Sequence, residues 1–528
     1  MPQPHEKLAA SLDALRHLQE AGRRVFQSNE LSRANRERLL KNGFVQEVMK
    51  GWLISANPGE RTGDTTPWFA SFWEFCARYS DERFGDQWHL SPEQSLLLHA
   101  GHTVIPKQVI VYSPKGTNNT VNLLYGTSIY DLKQAEMATK GDLEELDGLR
   151  VFVAAAALIK VPNNFYQRYP IEAEVILSQI RDPSELLGRL LAGGHSAVAG
   201  RLAGALRRVG KDRIAEEIKS TMNAADFDVR ESDPFEQDHR FAEIRPEAAP
   251  IVGRLQALWA THRQAVLKVF PSAPGLPKDQ KTYLRAVEEV YKTDAYHSLS
   301  IEGYRVSPEL IERVRSGNWN PDQLGCDLKE RNALAARGYW QAFQLVRNDV
   351  GKVIAGADVG PIVNEGHRAW YRELFQPSVA GGIVKAEALA GYRKDAVFIR
   401  NSSHIPPRWE AVRDAMPALF DLIGQEDEAS VRAVLAHWLF GYIHPYPDGN
   451  GRTARFLMNV LLASGGYPWT VIRVDDRKRY MEGLEAASVG NDIKPFATFV
   501  AEQVKGAGTL KDELTEAERA RTSMPESD

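Results

Sequence analysis

The chain has 528 residues, 43% apolar and 25% charged, with a formal net charge of −4. That is an ordinary globular composition on the order of two to four domains long, and any basic surface on it must be local rather than global. Two cysteines, Cys76 and Cys326, lie far apart and without metal-ligand spacing, which excludes a disulfide framework and suits a reducing compartment. The opening MPQPHEKLAA has no basic segment followed by an apolar run, and the longest apolar run, VFVAAAALI at 151–159, is too short to span a bilayer. A cytoplasmic protein with no membrane partner is expected.

In chain order, the first patterned stretch is SNELSRANRERLLKNGFVQEVMKGWLIS, residues 28–55. A helix ends at Gly43, and two short apolar runs follow around a basic turn. That is the order of a recognition helix and β-wing in a winged helix-turn-helix. Residues 21–55 hold seven Lys or Arg against three Glu. The helix carries Arg33, Arg36, Arg38 and Lys41, which either contact the phosphates of duplex DNA or form a solvated face. LSPEQSLLLHAGHTVIPKQVIVYSP (90–114) and SAVAGRLAGALRRVGKDRIAEEI (196–218) follow. Together, residues 21–230 resemble the regulator module of AbiE-type antitoxins, in which a winged helix precedes a mixed α/β body. Arg201, Arg207 and Arg208 of the second stretch either extend a basic surface or face solvent. VFVAAAALI reads as a buried strand or core segment. The acidic, proline-bearing residues 233–250 read as an interdomain linker.

The second half is helix-rich. VRAVLAHWLFGY (431–442) sets Val431, Val434, Leu435, Trp438 and Tyr442 on one stripe. RTARFLMNVLLAS (452–464) is a second helix, ended by Gly465-Gly466. Between them stands HPYPDGNGRTAR (444–455), a loop and a helix start. A helix N-terminus offers unpaired N–H groups and the positive end of its dipole. Gly449 and Gly451 allow a tight turn and close approach of a ligand, and Asn450 adds a side-chain donor. Arg452 and Arg455 can clamp two phosphates. Asp448 is a hard oxygen ligand suited to Mg²⁺, and His444 can take a proton from an attacking hydroxyl. Taken singly, each has a plainer reading: a cap, a turn, a solvated arginine pair.

Together these residues resemble the signature of the Fic family, His-Pro-aromatic-x-acid-Gly-Asn-Gly-Arg-x-x-Arg. His444, Pro445, Tyr446, Asp448, Gly449, Asn450, Gly451, Arg452 and Arg455 all match. GYRKDAVFIRNSSHIPP (391–407) resembles the family's flap, a β-hairpin that docks a target's backbone by strand addition, although an ordinary hairpin fits the pattern too. YHSLSIEGYRVS (296–307) contains Ser298-x-x-x-Glu302-Gly303 and resembles the family's inhibitory motif. There the glutamate pairs with the second signature arginine, here Arg455. RKRYMEGLEAASVGNDIKPFATFV (477–500) resembles the helices that close the nucleotide pocket.

The resemblance implies a mainly α protein: a C-terminal all-α Fic fold with a β-hairpin flap, preceded by an α/β winged-helix regulator-like domain. The expected organisation is a winged-helix domain over 1–85, a regulator-type domain over 86–232, the linker 233–250, a Fic domain over 251–504 with an inhibitory helix near 290–303, and a flexible tail over 505–528. The implied activity is transfer of AMP from ATP, with Mg²⁺, to a Ser, Thr or Tyr hydroxyl of a target protein or of the chain itself. His444 would be the catalytic base and Glu302 the self-inhibitor. Two alternatives stay open: removal of AMP with Glu302 as base, and a DNA-bound regulator whose Fic domain senses nucleotide. Homodimerisation is a further open expectation.

Overall fold

The computed structural model describes residues 3–58, 64–317 and 331–507. They form two compact units, Met1–Arg254 with Phe398–Ile405, and Leu255–Val397 with Pro406–Asp528. Among the described residues no helix is long and apolar enough to cross a membrane. Of the predicted tail, residues 508–528 lie outside the described residues, while 505–507 continue a helix.

The first unit opens with α1 (Pro4–Leu18), β1 (Val25–Gln27), α2 (Arg33–Lys41), β2 (Val45–Met49) and β3 (Trp52–Ser55). Ser32 starts α2 by accepting the Asn35 N–H at 3.2 Å. Gly51, at φ +92°, turns the β2–β3 hairpin, and β1 pairs with β3 to give the antiparallel order β1-β3-β2. Leu15, Phe26, Leu31, Leu39, Val45 and Leu53 make a small core under it. A helix and a two-stranded hairpin thus follow in the predicted order, with α1 and β1 placed before them.

The predicted boundary near residue 85 is not one. The opposite face of the small sheet, through Val25, Trp52 and Ile54, shares a core with Trp68, Phe72 and Phe75 of α3 (Thr66–Phe84). The same core takes in strands β4 (His89–Leu90), β5 (Gln108–Ser113), β6 (Asn119–Asn122), β7 (Ser128–Lys133), β8 (Leu143–Leu146) and β9 (Leu149–Phe152). These strands form a β4-β5-β7-β6 sheet, with β5 and β7 parallel, and a β8-β9 pair. The apolar run 151–159 is divided: it ends β9 and then builds α5 (Ala154–Lys160), both buried. Helices α4 (Pro92–His99), α6 (Phe165–Arg168), α7 (Pro170–Gln179), α8 (Ser184–Gly193), α9 (Ser196–Arg208) and α10 (Asp212–Ala224) complete the unit.

Residues 227–249 have neither helix nor strand, yet they are not a loose linker. Val229 and Phe235 are buried in the helical core, and Phe241 and Ile244 pack against it. Fully buried Glu174 takes the Ala242 N–H at 2.6 Å and His239 at 2.9 Å. Buried Glu172 pairs with Arg254 and His102, each at 2.7 Å. A polar composition concealed a few irregularly spaced apolar side chains, and these bind the strap to the helices.

The expected flap hairpin does not form. No strand forms within 391–407 among the described residues. Asn401 takes φ +59°, and Pro406-Pro407 supplies no N–H for a ladder. Among the described residues, the sheet-like pairing of this segment is a single antiparallel bridge of His404 with Val104, inside the first unit. It is formed by the Ile105 N–H to Ser403 at 3.0 Å and the Ile405 N–H to Thr103 at 2.8 Å.

The second unit is helical: α11 (Pro250–Val269), inside which the unit boundary falls, α12 (Gln280–Ile301), α13 (Pro308–Arg315), α14 (Arg331–Ile354), α15 (Val359–Ala380), α16 (Val412–Gln425), α17 (Ala429–Ile443), α18 (Asn450–Ala463), α19 (Arg477–Gly490) and α20 (494–507). The predicted stripe of α17 is buried, but so are Ala433, Ala436, Leu439 and Phe440, so this helix is central and wrapped on all sides. α14 and α15 pack closely, because at Gly338 a Cβ would strike the Leu374 carbonyl.

Candidate active site

α17 ends at His444, whose φ of +53° and ψ of +60° put a non-glycine residue in the left-handed region. Its ring Nδ1 lies 3.2 Å from the Gly441 carbonyl. A carbonyl only accepts, so Nδ1 carries the proton and Nε2 is left as the basic nitrogen. Burial, and then the charge of Arg393, hold the imidazole below the usual histidine range. It is therefore neutral near pH 7.

Arg393, which no local pattern singles out, fixes this residue. It is 3% exposed. Its Nε donates to the His444 carbonyl at 2.8 Å, its Nη1 to Asp395 at 3.0 Å, and its Nη2 to Pro407. Its own N–H reaches Pro445 at 2.9 Å. One guanidinium thus ties both ends of the 394–406 loop to the backbone of the histidine. Burial lowers its pKa to about 10, still high enough to keep it charged.

The turn after His444 is closed by Asn450. Its Oδ1 accepts the Tyr446 N–H at 2.9 Å and its Nδ2 donates to the Tyr446 carbonyl at 2.8 Å. The expected ligand donor is thus a loop staple: buried, with both ends of its amide engaged. Tyr446 stacks on Tyr371 with centroids 3.7 Å apart, fixing the loop on α15. Gly449, at φ +77°, starts α18, and no side chain caps the first turn. A Cβ at Gly449 would meet Phe375, and one at Gly451 would meet the Glu302 carboxylate. Both glycines therefore leave room for protein groups to pack against the turn.

Arg452 is 1% exposed and lies between the Tyr304 and Phe375 rings, 5.1 and 5.0 Å from their centroids. Its Nε and Nη2 are buried without a hydrogen-bond partner, as is Nη1 of Arg455. Three orphaned donors beside an uncapped helix N-terminus fit a polyanionic ligand. The Asp448 side chain is 57% exposed and 3.6 Å from Arg452. Its Oδ1 takes the Gly449 N–H at 2.6 Å. Among the described residues no group of three or more His, Cys, Asp or Glu could hold a metal. Asp448 is a single hard oxygen ligand, so a cation held by it would need phosphate oxygens and water to complete its shell.

α12 brings the inhibitory motif to the same place. Asp279 caps its start through the Thr282 N–H at 3.1 Å. Gly303, at φ +85°, ends it: its N–H reaches Ser300 at 3.0 Å, and the Tyr304 N–H reaches Leu299 at 3.1 Å. This paired closure is a Schellman motif. It leaves Glu302 as the last residue before the break and turns Tyr304 onto Arg452. Arg455 donates from Nε to Ser298 Oγ at 2.9 Å, and from Nη2 to Glu302 Oε1 at 2.7 Å. Burial works against the Glu302 charge, but Arg455 and then Arg452 hold its carboxyl below the usual range, while Arg455 is pushed above its own. Ser298, Glu302, Gly303, His444, Asp448, Gly449, Gly451, Arg452 and Arg455 are thus gathered at one helix N-terminus. Arg33, Arg36, Arg38 and Lys41 lie in the other unit.

Those four do not make a bare basic face. Arg38 donates to Lys7 at 2.9 Å and to Ser11 at 2.5 Å, which spends it on holding α1. Arg33 pairs with Glu37 at 2.8 Å. Arg36 and Lys41 keep no carboxylate partner among the described residues. Arg201 is buried, Arg207 is tied to Glu231 at 2.7 Å and Arg208 to Asp233 at 3.2 Å. They form no extended basic surface.

Residues 364–462 match the Fic/DOC family, so the chain carries a Fic domain. The chain is 33% identical over 230 residues to the protein adenylyltransferase Fic of Nematostella vectensis, covering 43% of this chain and 50% of that protein. It is 37% identical over 231 residues to the protein adenylyltransferase Fic of Drosophila willistoni, covering 41% of each. The chain therefore spans half or less of the curated relatives it matches. Among solved structures, "Fic-1 (aa134 - 508) from C. elegans" aligns at 18% identity and a TM-score of 0.37, covering 70% of this chain and 93% of that one.

Proposed function

We propose that this chain is a cytoplasmic protein adenylyltransferase that moves AMP from ATP to a hydroxyl of a target protein or of itself, and that Glu302 holds it in check. The observation that carries this reading is the uncapped N-terminus of α18, ringed by the orphaned donors of Arg452 and Arg455 and flanked by a neutral His444.

In the proposed reaction, Nε2 of His444 takes the proton of the target hydroxyl as its oxygen attacks the α-phosphorus. The new P–O bond forms as the bond to pyrophosphate breaks. The α18 N–H groups and Arg452 receive phosphate oxygens, and Arg455 clamps the γ-phosphate once it is released from Glu302. Asp448 would hold Mg²⁺ brought with the nucleotide; that ion would offset phosphate charge. The test is incubation of wild type and Glu302→Gly with α-labelled ATP in lysate. Labelled protein in the variant supports transfer. Absence of label with either protein, while ATP binding is measurable, would sink it.

A second activity is proposed for the first unit: binding of duplex DNA through α2, with the β2–β3 hairpin as wing. The order helix, strand, helix, hairpin favours it. Arg36 and Lys41 are the side chains left to meet phosphates, with Arg33 once it releases Glu37.

A further inference from the structure

The first unit contains a cavity of about 540 Å³ that has no part in the proposed transfer. It lies at the start of α9, where Ser196 and Ala197 line it and no side chain caps the helix. Its second wall is the strap at Asp228–Pro234. The strap comes this close because α9 has glycine at 200 and 204. A Cβ at either would strike the carbonyls of Arg230 and Ser232, and the Ser232 N–H bonds to Gly200 at 3.2 Å.

Arg201, also on α9, lines the cavity and is 8% exposed. It lies 5.9 Å over the Tyr166 ring and donates from Nη2 to the Val161 carbonyl at 3.0 Å. Its Nε is buried without a partner. No carboxylate among the described residues is within ion-pairing distance of it. Each acid of the lining has another arginine as partner: Asp233 meets Arg208 at 3.2 Å, and Asp228 meets Arg230, which also lines the cavity, at 3.4 Å. A buried guanidinium without a counter-ion is costly, and an uncapped helix start adds positive potential to the same space. Asn163, Gln167 and Ser232 supply neutral donors and acceptors around it.

We propose that this cavity is a binding site for a small oxyanion, a carboxylate or phosphate carried on a polar body, with Arg201 and the α9 N-terminus as its anion-binding wall. Its size is that of a small-molecule site. The inference is independent of the transfer reaction, since it uses no residue of α12, α17 or α18.

The test uses the full chain, with inorganic phosphate and succinate as probes, titrated by calorimetry. At least one is expected to bind in the millimolar range or tighter. Gln167→Glu, at an exposed position, sets a negative charge in the cavity without disturbing the core and should weaken binding about tenfold or more. Arg201→Gln should do the same. In an Arg455→Ala background, which removes the phosphate clamp beside α18, the binding that remains should still be weakened by Gln167→Glu. If neither probe binds, or if Gln167→Glu leaves binding unchanged, the proposal fails. Because Gln167→Glu leaves Arg201 in place, the test survives an Arg201 variant that does not fold.

Discussion

Nη2 of Arg455 donates to Oε1 of Glu302 at 2.7 Å, while Nε of the same guanidinium donates to Ser298, one turn earlier on α12. A phosphate and this carboxylate would compete for one fork. About a quarter of the Glu302 side chain meets solvent. The pair is therefore set at about 2 kcal/mol, below the roughly 3–5 kcal/mol of a fully buried one, and its release should raise transfer roughly thirtyfold. Self-labelling of Glu302→Gly should rise by that order, and Arg455→Ala in the same chain should erase the gain. Ser298→Ala should give a smaller rise, since it removes one hydrogen bond and no charge. Equal labelling by wild type and Glu302→Gly would end the self-inhibition model. Release of AMP from modified target by wild type, lost in Glu302→Gly, would move the reading to AMP removal.

Proton uptake by His444 should leave a mark on the pH profile. Burial and Arg393 lower its pKa, so the neutral base persists through neutral pH, and the rate should fall only below the usual histidine range. His444→Ala should abolish transfer with ATP affinity nearly kept. Arg393→Met removes the charge that, after burial, keeps the imidazole neutral, so the acid limb should move toward neutral pH. It also frees the His444 carbonyl, and kcat should drop on the order of tenfold to a hundredfold with little change in KM for ATP. Arg393→Lys keeps the charge but not the fork, so the limb should stay while kcat falls. An unmoved limb in Arg393→Met would assign Arg393 to folding alone.

Asp448 is the carboxylate of the 444–455 loop, and more than half of its side chain is exposed. Asp448→Ala should therefore raise the Mg²⁺ concentration needed for transfer and lower the maximal rate, with little loss of thermal stability. Wild-type rates in the variant, or full activity of the wild type in excess EDTA, would contradict the metal assignment.

On duplex DNA, the full chain should bind with an affinity that falls steeply with salt. Arg36→Ala with Lys41→Ala should weaken binding at low salt and leave the melting temperature unchanged. Arg38→Ala should do the reverse, since it ties α2 to α1 at Lys7 and Ser11. No anisotropy change at low salt on the DNA upstream of the protein's own gene would rule this activity out.

Much of the site was legible because its chemistry is written locally. His444 to Arg455 form a loop between two helices whose apolar spacing reads from the chain, and Ser298 and Glu302 share a helix face by spacing alone. What was not legible depends on distant partners. Asn450 has the chemistry of a ligand donor and is spent instead on Tyr446, four residues earlier. Arg393 lies in a stretch that alternates like a hairpin, but its value comes from carbonyls at 407 and 444 that no local pattern reveals. The strap at 227–249 has a linker's composition, and only the glycines at 200 and 204 hint that something must press on α9.

The packing of α14 on α15 bears on the site. At Gly338 of α14 a Cβ would collide with the Leu374 carbonyl of α15, and backbone yields less readily than a side-chain tip. Phe375, the next residue, stands against Gly449 and under Arg452. Gly338→Ala must push α15 outward, at a cost of about 1–3 kcal/mol as overpacking in a close-packed core. The same shift carries Phe375 away from the α18 N-terminus, so KM for ATP should rise as the melting temperature falls. Phe375→Leu, which removes the ring and leaves the helices in register, should raise KM with a smaller loss of stability. If Gly338→Ala melts earlier but binds ATP as the wild type does, the α14–α15 contact supports the fold without setting the nucleotide cradle.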